Sequence, residues 1–148
     1  FTQDILATID RDREREIIAR RFGLFDRRET LEQIGELLGI TRERVRQLEK
    51  SVISRLKSLG EHGNLPHITE IESTFTEELK KVGNLARISD LSKHVTAENS
   101  KTDQSRVAFL AALCSSLTVI EENDHYYLAA GIRATRDDKK IKHERKPS

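Results

Sequence analysis

The sequence predicts a mainly α-helical protein: a helix-turn-helix domain of three or four helices, followed by a small α+β domain of winged-helix-like order. Three observations lead there. Two amphipathic segments meet at a glycine near residue 39. Aromatic residues make up only 5% of the chain and Trp is absent, so Leu, Ile, Val and Ala must do the packing. Three segments of helical period after residue 67 give way to two short β-rich runs. At 148 residues the chain holds one ordinary domain or two small ones.

The first helix is expected from Asp10, a good N-cap, to Gly23, with Ile17, Ile18 and Phe22 near one side. In "ETLEQIGELLG", Thr30 stands three residues before Gln33, a capping-box spacing, and Leu31, Ile34, Leu37 and Leu38 form an apolar stripe that stops at Gly39. Thr41 caps a third helix running to about Leu59, so the two helices are joined by a few residues around Gly39 and Ile40. "LGEHGNLPHI" (59–68) has two glycines, a proline and no apolar period, and marks a linker. Beyond it, Ile68, Ile71, Phe75, Leu79 and Val82 follow helical spacing. "ARISDLSKHV" gives a short helix capped by Ser89, and "DQSRVAFLAALCSSL" a more apolar one. "TVIEE", a turn at "ND" and "HYYLA" read as a hairpin, on which Tyr126 and Tyr127 are expected to divide between core and surface. The expected division is therefore residues 1–60, 61–131 and a tail, 132–148, that lacks a core pattern and is expected to be disordered.

A formal charge of +1 hides a split along these boundaries. Residues 1–60 hold 13 Lys+Arg against 11 Asp+Glu, residues 61–131 hold 6 against 11, and residues 132–148 hold 7 against 3. A basic first part, an acidic middle and a basic tail point to different partners.

The densest chemistry lies in "GITRERVRQLEK" (39–50). At about 100° per residue, Arg42, Glu43, Arg46 and Gln47 fall at roughly 0°, 100°, 40° and 140° round the third helix, inside one polar arc. Val45, Leu48, Val52 and Leu56 fall at roughly 300°, 240°, 280° and 320°, so the other side is apolar and fixes the helix to its domain. Arg pairs bidentately with guanine, Glu accepts from the cytosine amino group, and Gln matches adenine, each good pair discriminating by about 1–3 kcal/mol. The second helix of a helix-turn-helix enters the major groove by its N-terminal end, where these residues lie. A basic run in isolation more often makes a solvated helix face with weak i,i+4 pairs. The preceding helix and glycine turn favour base reading, as does the fact that arginines there oppose the helix macrodipole. Arg44 and Lys57, basic residues of the same helix, complete the candidate DNA-binding set.

With "REREIIARRFGL" and "ETLEQIGELLGITRERVRQLEKSVISRLK" on the page, roughly residues 8–58 resemble region 4 of the primary sigma factors of bacterial RNA polymerase, the sigma-70 family. The resemblance implies binding to the −35 element of double-stranded promoter DNA and docking on the β-subunit flap of the polymerase core. It implies that Arg42, Glu43, Arg46 and Gln47 belong to the base-reading and phosphate-contacting set. Thr30, Leu31 and Glu32 would then start the supporting helix, whose N-terminus approaches the DNA backbone. Ser51 stands where the primary factors often carry lysine, and the stretch after Lys57 leaves the family pattern. The regions that bind and melt the −10 element are absent from these 148 residues, and an opening on Phe1 with helical character is expected of a fragment or processed product.

Residues 61–131 resemble, less specifically, winged-helix modules of bacterial transcription proteins. Their excess of acid disfavours phosphate contact, so protein interaction or structural support is the expected role. The basic tail is expected to solvate, with backbone contact to DNA as the sharper alternative.

No cofactor and no enzymatic activity are expected. His62, His67, His94, His125 and His143 are scattered and lack zinc spacing, and there is neither a phosphate-cradling glycine loop nor a nucleophile elbow. Cys114 lies in an apolar helix and reads as a packing residue. One cysteine, no long apolar run and no signal-peptide pattern are expected of a cytoplasmic protein with no membrane partner and no small-molecule substrate. The leading reading is sequence-specific DNA binding in transcription initiation, by a sigma factor or sigma-like protein. Its rivals are a standalone helix-turn-helix regulator and a protein-interaction adaptor that has lost DNA affinity.

Overall fold

The structure is a computed structural model that describes residues 1–123 and 126–132, with the backbone alone at 121–123 and 126–128. Its order is α1 (Thr2–Leu6), α2 (Asp12–Phe22), α3 (Leu31–Leu38), α4 (Arg42–Glu61), α5 (Ile68–Lys81), β1 (Leu85–Arg87), α6 (Ile88–Val95), α7 (Lys101–Leu113), β2 (Leu117–Asn123) and β3 (Tyr126–Ile132). From α5 onward the order is helix, strand, two helices and two paired strands. The sheet is antiparallel, in the order β1-β3-β2.

Local sequence explains five of the helix ends. Thr30 closes a capping box on α3, its hydroxyl accepting from Gln33 N–H while the Gln33 side chain accepts from Thr30 N–H. Thr41 caps α4 by accepting from Arg44 N–H, and Gly23 and Gly39 take the left-handed conformation that ends α2 and α3. Ser100 and Asp103 form a second capping box on α7, which the helical period alone did not reveal.

Four expectations are corrected. Leu37 is exposed and not part of the α3 stripe, which packs through Leu31, Ile34 and Leu38; at about 100° per residue it falls roughly 60–120° from those three. Asp10 does not cap α2; the helix starts at Asp12 with Arg11 as N-cap, because Ile9 is buried and its carbonyl is held by the Arg15 guanidinium. Ser89 does not cap α6. β1 runs straight into that helix at Ile88, and its N-cap Arg87 is still paired with Ala129 of β3. Val82 is the exposed C-cap residue of α5 and not part of its stripe, because Gly83 and Asn84 turn the chain at positive φ into β1. The hairpin turn at residues 124–125, the side chains of Tyr126 and Tyr127 and the tail from 133 lie outside what is described.

One apolar cluster runs from Ile5, Ile18, Phe22, Val52 and Leu56 through Phe75 and Leu79 to Phe109, Leu113 and Leu117. It crosses the 62–67 loop without a break, and α7 is its centre: every residue from Val107 to Leu113 is buried. Phe109 meets Phe22 edge-on at 5.2 Å between centroids, and Arg106 donates to the Leu24 carbonyl at 2.9 Å and lies over the Phe25 ring. A smaller cluster of Ile17, Leu31, Ile34 and Val45, with Leu38, Ile40 and Leu48 against it, holds α2, α3 and the first turns of α4 together.

Candidate nucleic-acid interface

Gly35 sets how closely the turn between α3 and α4 lies against α3. Its carbonyl accepts from Gly39 and Ile40 N–H, and a Cβ at this position would stand 2.6 Å from the Ile40 carbonyl oxygen. Glycine is needed there for a close backbone approach, not for a positive φ. The small cluster buries Val45 and partly buries Leu48, so α4 is rotated with its opposite arc outward.

Arg42, Glu43 and Gln47 are exposed on that arc and Arg46 is half-buried. Glu43 pairs with Arg46 at 3.5 Å, and Arg42 reaches Glu32 in the first turn of α3 at 3.2 Å. That contact sets the N-terminal turns of the two helices side by side, so Thr30, Leu31 and Glu32 lie beside Arg42. Leu31 itself is buried; what it offers a phosphate is its backbone N–H, one of the unpaired donors of a helix start. Both ion pairs are about half exposed, a setting in which a pair contributes about 0–1 kcal/mol. Exchanging Glu32 for a base or phosphate therefore costs Arg42 little. Arg44 falls at roughly 200°, at the edge of the arc, where its guanidinium meets Gln47 at 3.5 Å.

Lys57 is not brought to this end. It lies about 22 Å further along the axis, close enough to Cys114 to oppose the rise in its thiol pKa. That rise comes first from burial and then from Glu72.

The middle of α4 is fixed by charges as well as by apolar contact. Arg21 of α2 and Glu49 of α4, 6% and 8% exposed, form an ion pair at 2.8 Å. One and a half turns on, Arg55 pairs with the buried Glu14 at 2.7 Å. Arg13 donates to the Leu38 carbonyl and closes the C-terminal end of α3. None of these positioning residues follows from apolar periodicity, which counts charged side chains as surface. Lys50 was also missed, although the period that found Arg42 and Arg46 places it at roughly 80°, inside the polar arc and exposed.

Among the described residues no group of His, Cys, Asp and Glu is placed to hold a metal ion, and no helix is long and apolar enough to cross a membrane. The arrangement offers a polar, arginine-rich helix end with its neighbouring helix start, on a packed apolar base.

The comparisons agree with that geometry. The family model for sigma-70, region 4, matches residues 11–58. The RNA polymerase sigma factor sigB of Arabidopsis thaliana is 46% identical over 54 residues, which cover 36% of this chain and 9% of that protein.

Proposed function

We propose, from the match of residues 11–58 to the sigma-70 region 4 family model, that this chain recognises a −35-like promoter element and docks on RNA polymerase, as the region 4 module of a sigma factor or sigma-like protein. The observation that carries the reading is the placement of Arg42, Glu43, Arg46 and Gln47 on one outward arc of a helix whose opposite arc is anchored. Arg42 and Glu43, nearest the helix start, take base edges in the major groove. Arg46 and Gln47, one turn on, share base and phosphate contacts, and the start of α3 meets the backbone of the DNA. The role is binding and positioning, with no bond made or broken. The polymerase contact on the β-subunit flap follows from the family and not from a particular side chain.

The test is binding of the chain to a duplex with a −35 element and to a scrambled duplex, at several salt concentrations, with and without the isolated β-flap. Preference for the −35 duplex is expected. Arg42→Ala or Glu43→Ala is expected to relax preference at one promoter position at a cost of about 1–3 kcal/mol. Equal loss on every sequence for all four residues would remove the base-reading assignment. Binding to neither DNA nor flap would favour the adaptor.

A further inference from the structure

Lys50 differs from the other cations at the reading end of α4. It is exposed, and among the described residues its ammonium has no hydrogen bond or ion pair. Arg42 and Arg46, by contrast, already hold Glu32 and Glu43, at 3.2 Å and 3.5 Å. At about 100° per residue Lys50 falls at roughly 80°, in line with Glu43 at roughly 100° and between Arg46 and Gln47 at roughly 40° and 140°. Glu43, Arg46, Gln47 and Lys50 therefore stand at i, i+3, i+4 and i+7, on one outward strip two turns long. The rotation of the second turn is fixed from behind. Glu49, the residue before Lys50, is buried against Arg21 at 2.8 Å, and Val52, two residues after it, is 1% exposed.

We infer that Lys50 is a further specificity-determining residue of this site, taking a guanine in the major groove about two or three base pairs beyond the base met by Glu43. The inference deepens the proposed DNA-binding role and rests on it. A helix in the major groove reaches base edges from one face over about two turns, and Glu43 to Lys50 is that span. It measures about 10 Å along the axis, against a rise of about 3.4 Å for each base pair. Lys57 lies a further two turns on, outside the span. A lysine ammonium has donors only. Guanine offers it N7 and O6, both acceptors, whereas adenine and cytosine present an amino group at that edge and thymine sets a methyl group beside its one acceptor. Chemistry and placement thus select the same partner.

The whole chain and its K50A, K50R and E43A variants are each titrated with a −35 duplex and with the set of duplexes that differ from it by one base pair. E43A marks the position that Glu43 reads. The parent is expected to prefer guanine about two or three base pairs from that mark. K50A should reduce this preference by about 5- to 150-fold, and K50R should largely keep it, because arginine also pairs with guanine N7 and O6. Preference at the Glu43 position should persist in K50A, whose exposed site leaves the packing untouched. A uniform loss over all duplexes, with a plot of log affinity against log salt shallower by about 0.9, would overturn the inference and make Lys50 a phosphate contact. Equal affinities of K50A and the parent on every duplex would overturn it as well. Either result leaves the −35 reading standing as long as E43A relaxes one position. A parent that prefers no duplex removes that reading, and the inference with it.

Discussion

Glu49→Ala is the most informative single perturbation of the fold beneath the reading helix. It removes the carboxylate partner of the Arg21 guanidinium, which is 6% exposed and lies 2.8 Å from it. An exposed pair would contribute little, but removing one partner of a buried pair leaves an uncompensated charge and costs about 3–5 kcal/mol. A chain of this length has about 5–15 kcal/mol in total, so the loss is a large share. At about 2–4 °C per kcal/mol for this size, the melting temperature should fall by about 6–20 °C. Urea unfolding followed by circular dichroism gives the same quantity as a lower midpoint at unchanged slope. The companion variant, Arg21→Met with Glu49→Leu, replaces both charges by apolar groups of similar volume and should recover most of the loss, since such exchanges are often neutral or stabilising. Neither residue lies in the outward arc, so the double variant should also recover DNA binding. A cost below about 1 kcal/mol for Glu49→Ala, or a double variant no better than the single one, would refute the claim that this pair fixes α4 on α2.

Three other outcomes are expected. Gly35→Ala places a methyl group 2.6 Å from the Ile40 carbonyl oxygen, so despite alanine's better helix propensity it should cost about 1–3 kcal/mol in urea unfolding and weaken DNA binding by shifting the turn. Thr30→Ala loses the hydroxyl half of the α3 capping box and should cost about 1 kcal/mol, whereas Thr30→Ser should cost much less; equal melting temperatures for the two would show that the cap is not used. Cys114 is fully buried with its Sγ donating to the Leu110 carbonyl, and burial pushes its thiol up. A thiol reagent at neutral pH should therefore react only as the chain unfolds. The unfolded thiol ionises from about pH 8.5 and the native one does not, so this group makes stability fall with rising pH from there, by at most about 1.4 kcal/mol per unit. Cys114→Ala should remove that share of the slope.

What was legible in the sequence was whatever depends on near neighbours. The α3 capping box is a three-residue spacing, Gly39 is a stop, and the outward arc of α4 follows from counting at 100° per residue. These are local rules, and the structure keeps them. What was not legible depends on residues far apart. β1 is three residues without alternation and exists because Ala86 faces Ala130. Glu49 sits at roughly 340° on the apolar side of α4, where a carboxylate is an error by pattern and becomes sound only when Arg21, 28 positions earlier, is beside it. The second half of α7 illustrates the same limit, since a stretch apolar all round, Val107–Leu113, announces burial without saying against what.

The packing of α7 decides how an acidic half can share a chain with the proposed DNA-reading helix. The resemblance to winged-helix modules drawn from the sequence would make the helix before the hairpin the candidate for a groove. Here that helix is buried along Val107–Leu113, and Arg106, its last polar residue before that stretch, is committed to Leu24 and Phe25. It has become the internal support of α2 and α4. Val52, Leu56 and Leu59 of α4, at roughly 260–320°, take part in that contact, whereas the reading arc is centred near 70°. The acidic half thus begins about one helix diameter, ~10 Å, behind the reading face. At physiological ionic strength a Debye length is about 8 Å, so most of its repulsion toward DNA is screened, while its apolar grip on α4 is not weakened by salt. The same placement leaves the exposed start of α4, with Arg42, Glu43 and Gln47, on the side of the helix away from α7.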